Sequence, residues 1–187
     1  MQFLIDHITA TMIGGTVLLI LAVAQFRTNE AVVDQTSYYA SKKQVLELTN
    51  MIESDFKNVG LGVPPGAPVF NEVTPTAIEF NLLLAPGDVA TSAVRYEAVP
   101  IDTLELDGQS EPLFQLRRSV NGVLTGQSPP RMAEFVVELR NIEGNPVANP
   151  EDTETIHVHY ALVPPFNADK GFIKKTYWTR TFLAPNL

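Results

Sequence analysis

The sequence predicts an α+β protein: a long N-terminal helix, apolar on every side in its first half, packed through its second half on a mostly antiparallel β-sheet head. Three observations predict it. From Gln2 to Val59 the only helix-breaking residues are Gly14 and Gly15. Within that run Val45, Leu48, Ile52, Phe56 and Val59 recur at three- and four-residue steps, which is the spacing of one apolar helix face. Past Gly62-Val63-Pro64-Pro65 the apolar period drops to two and turn residues become frequent.

The opening segment, residues 1–26, contains no Asp, Glu, Lys or Arg after Asp6. From Ile8 to Phe26 only Thr9, Thr11, Thr16 and Gln25 carry polar side chains. About 19 residues of helix rise roughly 28 Å, close to the hydrocarbon thickness of a bilayer. A soluble core helix is rarely apolar all round over such a length, so a membrane span is expected, at least during biogenesis. A cleaved secretory signal is the rival reading, because Ala22-Val23-Ala24 offers a small-x-small site. Signal peptides begin with a positive region, however, and here only the terminal amine stands against Asp6. Arg27, Lys42 and Lys43 all follow the span. Counted literally, they place the C-terminal part in the cytoplasm.

Residues 27–62 read as the amphipathic continuation of the helix, with Glu47, Asn50, Ser54 and Lys57 off the apolar face. Gly60 is a suitable stop. Residues 63–187 read as the head, with Val45, Leu48, Ile52, Phe56 and Val59 covering one face of its sheet. Strands are expected over 77–84, 93–99, 113–120, 134–140, 155–162 and 174–183, all rich in β-branched and aromatic residues. The turns between them carry Asp107-Gly108, Asn121-Gly122 and Glu143-Gly144-Asn145-Pro146.

Composition narrows the chemistry. Thirteen basic against 21 acidic residues give a formal net charge of −8, and the basic residues form only pairs, so a nucleic-acid partner is not expected. There are no cysteines, which removes disulfides, thiolate ligands and a cysteine nucleophile. No Gly-rich phosphate loop, G-x-S-x-G elbow or His-Glu-x-x-His is present. His157 and His159 share a strand face, but two imidazoles fall short of the three or four ligands zinc takes. Glu151, Asp152 and Glu154 match no EF-hand spacing and read as a solvated acidic loop. Tyr177 and Trp178 point to opposite faces, one of them into the core. No metal, no cofactor and no catalytic residue is expected, and the chain is read as a non-enzyme.

Asp6 stands apart. It is either a favourable charge at a helix N-terminus, worth about 0.3–1 kcal/mol, or an acid drawn into hydrocarbon that needs a partner. No Lys or Arg of its own segment can supply one. A neighbouring copy shifted along the axis can present its terminal amine, which makes Asp6 a mark of assembly register.

The residues then resemble those of the type IV pilin-like family, and within it a minor pilin or a type II secretion minor pseudopilin of the J/W type. "QFLID" at Gln2–Asp6 resembles the "FTLIE" that opens mature pilins. "MIESDFKNVGLG" at Met51–Gly62, "LFQLRRSVNG" at Leu113–Gly122 and "TRTFLAPNL" at Thr179–Leu187 resemble, in order, the helix end, a strand and turn, and the last strand of that type. The resemblance implies a pilin-like fold whose N-terminal helix packs with other pilin-like subunits. It implies assembly through Gln2, Phe3 and Asp6, and helix flexibility at Gly14 and Gly15 in place of the family's mid-helix proline. It also implies an inner-membrane protein with an extracytoplasmic head, drawn into a filament in the periplasm or on the cell surface for pilus biogenesis, secretion or a related process. The sequence has no basic leader ending in glycine before Gln2, and Asp6 replaces the family's glutamate. Asp6 matches the family's fifth position if Gln2 leads the mature chain and is sixth if Met1 is kept. Two other functions compete. One is a single-span, non-polymerising β domain that binds an extracytoplasmic ligand or partner; the other is a secreted β domain cut after Ala24.

Overall fold

The uninterrupted helical run at the start of the sequence is one α-helix, α1, from Gln2 to Phe56. The computed structural model describes residues 2–85, 87–106, 108–164, 173 and 175–183, with Leu4 and Ser41 described for their backbone only. The chain divides into two units, Met1–Ala40 and Ser41–Leu187. The first is helix throughout its described residues, and α1 passes through Gly14-Gly15 without a break.

In the second unit the last stretch of α1 is followed by strands β1 (Phe70–Val73), β2 (Ala77–Leu82), β3 (Ser92–Leu106), β4 (Gln109–Val120), β5 (Val123–Gln127), β6 (Met132–Arg140), β7 (Thr155–Leu162) and β8 (Thr176–Leu183). A single turn of 3₁₀ helix, Pro150–Asp152, precedes β7. Every pairing is antiparallel. The sheet runs β1-β2-β3-β4-β6-β7-β8, with β5 pairing on β4 beside that path. One long helix with an eight-stranded antiparallel sheet is an α+β architecture.

One sheet face meets Leu48, Ile52 and Phe56 of α1, the last two with no accessible surface. Phe56 is the centre of this core. Its ring lies 5.0 Å from Phe80, 5.6 Å from Tyr96 and 5.8 Å from Phe182, which draws in β2, β3 and β8. Val45 is half-buried against the same cluster. On the other face Leu113, Ala133, Ala161 and Val163 form a smaller cluster with Leu104 and Ile173.

The helix stops one turn earlier than its apolar spacing suggests. Lys57 N–H still donates to Glu53 C=O at 3.2 Å, but Asn58 N–H turns to Asp55 C=O at 3.0 Å and tightens the chain. Val59 therefore lies in the turn after α1, yet it is buried in the same core. Gly62 sits at φ +75 where a Cβ would come within 2.4 Å of Leu83, so the connector's close approach to the chain after β2 requires glycine. Leu83 N–H then donates to Leu61 C=O at 2.9 Å.

β3 and β4 are much longer than their apolar runs, because they continue as a hairpin arm in which Pro100, Ile101, Asp102 and Thr103 are exposed. A ladder between two solvated faces leaves no alternation to read. Pro100 is accommodated at a shift in register between Pro100 and Asp102. β1 and β5 were not legible: β1 is four residues long, and β5 (VLTGQ) is largely exposed with Gly126 inside it. The Asn121-Gly122 signal makes the β4–β5 turn, with φ of 50 and 79 as a type I′ turn requires. Asp107 and Lys174 lie outside the described residues, as does the tail 184–187.

Candidate functional site

Between Ile5 and Phe26 the helix offers apolar side chains in every direction. Ile8 is 51% exposed, Leu18 68% and Phe26 70%. By length and composition this helix can cross a membrane. Thr9, Thr11 and Thr16 donate their hydroxyls to the carbonyls of Ile5, His7 and Met12 at 2.8, 3.0 and 2.9 Å. Each hydroxyl is thus satisfied inside its own helix, and hydrocarbon around it costs little.

Among the described residues Asp6 has no side-chain partner of this kind. It is the fifth residue of α1, past the first turn, where the attraction of a helix N-terminus for negative charge has largely decayed. That weakens the simplest explanation for an acid here. Gln2 and Phe3 are exposed on the same end, Phe3 by 85%. At Gly14 and Gly15 a Cβ would meet nothing within 4 Å, so the backbone there is bare on its outer side. Small residues at such places let the backbones of neighbouring helices approach.

Within the head, the sequence reading missed a polar lock. Asp55 is 5% exposed on the buried side of α1. Arg118 of β4 holds it with two hydrogen bonds, Nε to Oδ2 at 2.5 Å and Nη2 to Oδ1 at 3.0 Å. Tyr96 of β3, whose Cα partner is Arg118, donates its hydroxyl to Oδ2 at 2.6 Å. Burial first, and the carboxylate beside it second, push the Tyr96 phenol well above its ordinary range, so it remains a donor. The hydrogen bond to Asp55 raises Arg118 as well. Two to three turns earlier, Tyr160 of β7 donates to Val45 C=O at 3.1 Å, and its hydroxyl also lies 2.7 Å from that of Thr49. Two polar ties and the Phe56 core therefore fix the end of α1 on the sheet. Asp55 falls three residues after Ile52 and Arg118 two after Leu116, so both periodicities pointed inward.

His157 and His159 do lie on one face of β7, but each is engaged by its neighbours. His157 Nδ1 lies 3.0 Å from Thr181 Oγ1, its Nε2 lies 3.3 Å from Thr179 Oγ1, and His159 Nε2 lies 3.3 Å from Glu134 Oε2. Among the described residues no three His, Asp or Glu side chains converge as a metal site. Glu151 and Asp152 are exposed on the 3₁₀ turn. Beside it, an open cleft of about 550 Å³ is lined by Pro68, Phe70, Asn149 and Glu151 among others. Trp178 is half-buried with its ring 5.0 Å from that of Tyr160, whereas Tyr177 is 60% exposed.

Burial depresses the His157 pKa below its ordinary value, with the Arg140 charge adding to it. A base with a lowered folded pKa contributes stability at pH above its unfolded value of about 6.5, and that contribution is lost as pH falls below it. Head stability is therefore expected to fall between pH 7.5 and pH 5.5, with a smaller fall in His157→Gln. Urea midpoints at the two pH values, for both proteins, measure this.

Comparison of the chain with protein-family models, with curated proteins and with solved structures found no match.

Proposed function

We propose that this chain is a structural, non-enzymatic subunit of a pilin-like filament, a minor pilin or pseudopilin, serving pilus biogenesis, protein secretion or a related surface process. Before assembly it is held in the inner membrane by its apolar helix, with the β head outside the cytoplasm. In the filament the same helix packs against other pilin-like subunits.

One observation carries this reading. A membrane-length helix exposed on all sides has internally satisfied threonines but retains an acid, Asp6, beyond the reach of its own helix N-terminus. An anchor that only dissolves in lipid has no need of that acid at the front edge of its apolar run. In an assembly the acid has a use, because a neighbour's amine neutralises it at one axial offset only.

Asp6→Ala is the test. The variant is expected to keep a folded head and normal membrane insertion while its recovery in sheared or fractionated filaments drops at least tenfold. Undiminished recovery removes Asp6 from assembly. Stable membrane residence of both proteins, with neither found in any filament, favours instead a single-span anchored head that binds an extracytoplasmic partner.

A further inference from the structure

We propose that the outer edge of β8, with the α1 stripe beside it, receives an extended segment of a second protein as an added strand, one that carries an apolar residue and, two residues away, a carboxylate. The site lies wholly in the head and does not depend on the filament reading.

The two ends of the sheet are unlike. β1 is four residues long, follows Pro68 closely and shifts register between Phe70 and Glu72. Shortness, proline and irregular register are what keep a sheet edge from pairing. β8 has none of them. Its eight residues, TYWTRTFL, hold one unbroken register on β7 and include no proline, no lysine and a single charge, Arg180. Among the described residues no backbone group pairs with its other edge. Tyr177, Thr179, Arg180 and Leu183 are exposed along it. A regular edge offers N–H and C=O groups in alternation, and an extended backbone is what satisfies them.

The side chains flanking that edge define what the added strand carries. Trp178 and Arg180 stand two apart and share the face of β8 that looks to α1. The Trp178 ring stacks on Tyr160, whose hydroxyl is tied to Val45 and Thr49, and Arg180 pairs with Glu53. Leu46, Asn50, Glu53 and Lys57 fall at i, i+4, i+7 and i+11, so they form one stripe, and Glu53 sets that stripe beside β8. At the Trp178 end the stripe offers Leu46, which is 53% exposed. At the Arg180 end one carboxylate, Glu53, lies between two cations, Lys57 at 3.1 Å and Arg180. The cations keep 54% and 44% of their side-chain surface exposed. This end therefore carries excess positive charge in a chain whose formal net charge is −8, and it favours a carboxylate. A second copy's β8 would bring an arginine and no acid to the same place, so the occupant is a strand of another protein.

The full chain in detergent is titrated with a capped seven-residue peptide that has threonine at its odd positions and leucine, aspartate and valine at positions two, four and six. Trp178, the only tryptophan, reports binding. Saturable binding is expected below about 1 mM. Lysine in place of the aspartate is expected to weaken it about tenfold or more. Arg180→Gln is expected to remove most of that discrimination, and Lys57→Gln, whose charge lies off the strand, to reduce it while leaving the urea midpoint near wild type. Strand pairing itself is read by N-methylating the amides of alternate residues in the peptide, which blocks one edge only. One of the two methylation patterns is expected to abolish binding and the other to leave it. Absence of binding up to 1 mM, equal binding of the aspartate and lysine peptides, or equal binding of the two methylated forms overturns the proposal.

Discussion

Replacing Arg118 by alanine is expected to destabilise the head by about 3–5 kcal/mol, because it leaves the Asp55 carboxylate buried without its cation. Asp55 is 5% exposed, and Tyr96 alone cannot balance a carboxylate that also accepts two guanidinium hydrogen bonds. The loss comes from the stranded charge rather than from the worth of the pair. Converting both partners to apolar residues of similar size, Asp55→Leu with Arg118→Met, is therefore expected to recover most of the stability. Urea unfolding of the full chain in detergent, followed by Trp178 fluorescence, reports both variants. A loss under 1 kcal/mol for Arg118→Ala means the carboxylate finds water or another donor.

Phe56→Ala is the second large effect, about 3–5 kcal/mol for an aromatic ring removed from a closed core. Phe56 has no accessible surface and touches aromatic rings from three strands, so no single neighbour can collapse into the space it vacates. Phe26→Ala is the matched control. That ring is 70% exposed on the first unit, and its removal is expected to leave the urea midpoint of the head within about 0.5 kcal/mol of wild type. Because Phe56 adjoins Asp55, combining its loss with Arg118→Ala is expected to be non-additive. Equal midpoints for Phe56→Ala and Phe26→Ala remove Phe56 from the core.

What was legible in the sequence followed burial. β7 was bounded correctly at Thr155–Leu162 because Ile156, Val158 and Tyr160 are buried in strict alternation with His157 and His159. The apolar stripe Leu48, Ile52 and Phe56 was legible for the same reason. Where no face is buried, as in the β3–β4 arm from Pro100 to Thr103, the period vanishes although the ladder continues. The Asp55 lock was missed because its parts come from distant places: Tyr96 is 41 residues on and Arg118 is 63. Periodicity turns each side chain inward, but only the strand register brings them to one carboxylate. In the first unit, Asp6 and the uncharged run after it were visible at once. The internal bonding of the threonines needed the helix itself.

The head and the helix thus divide the work. Polar ties and aromatic packing fix the last turns of α1 in the head, while the first unit leaves its apolar residues exposed. Which partner takes them is decided by cross-linking from within the span. A photoreactive residue at Leu18, which is 68% exposed, in the full chain in its own cells samples whatever covers the helix. A filament subunit is expected to give protein adducts, to further copies or to other pilin-like helices, and these adducts should be enriched in material sheared from the cells. Adducts to lipid alone, with the chain confined to the membrane fraction, contradict the filament and leave a simple anchor.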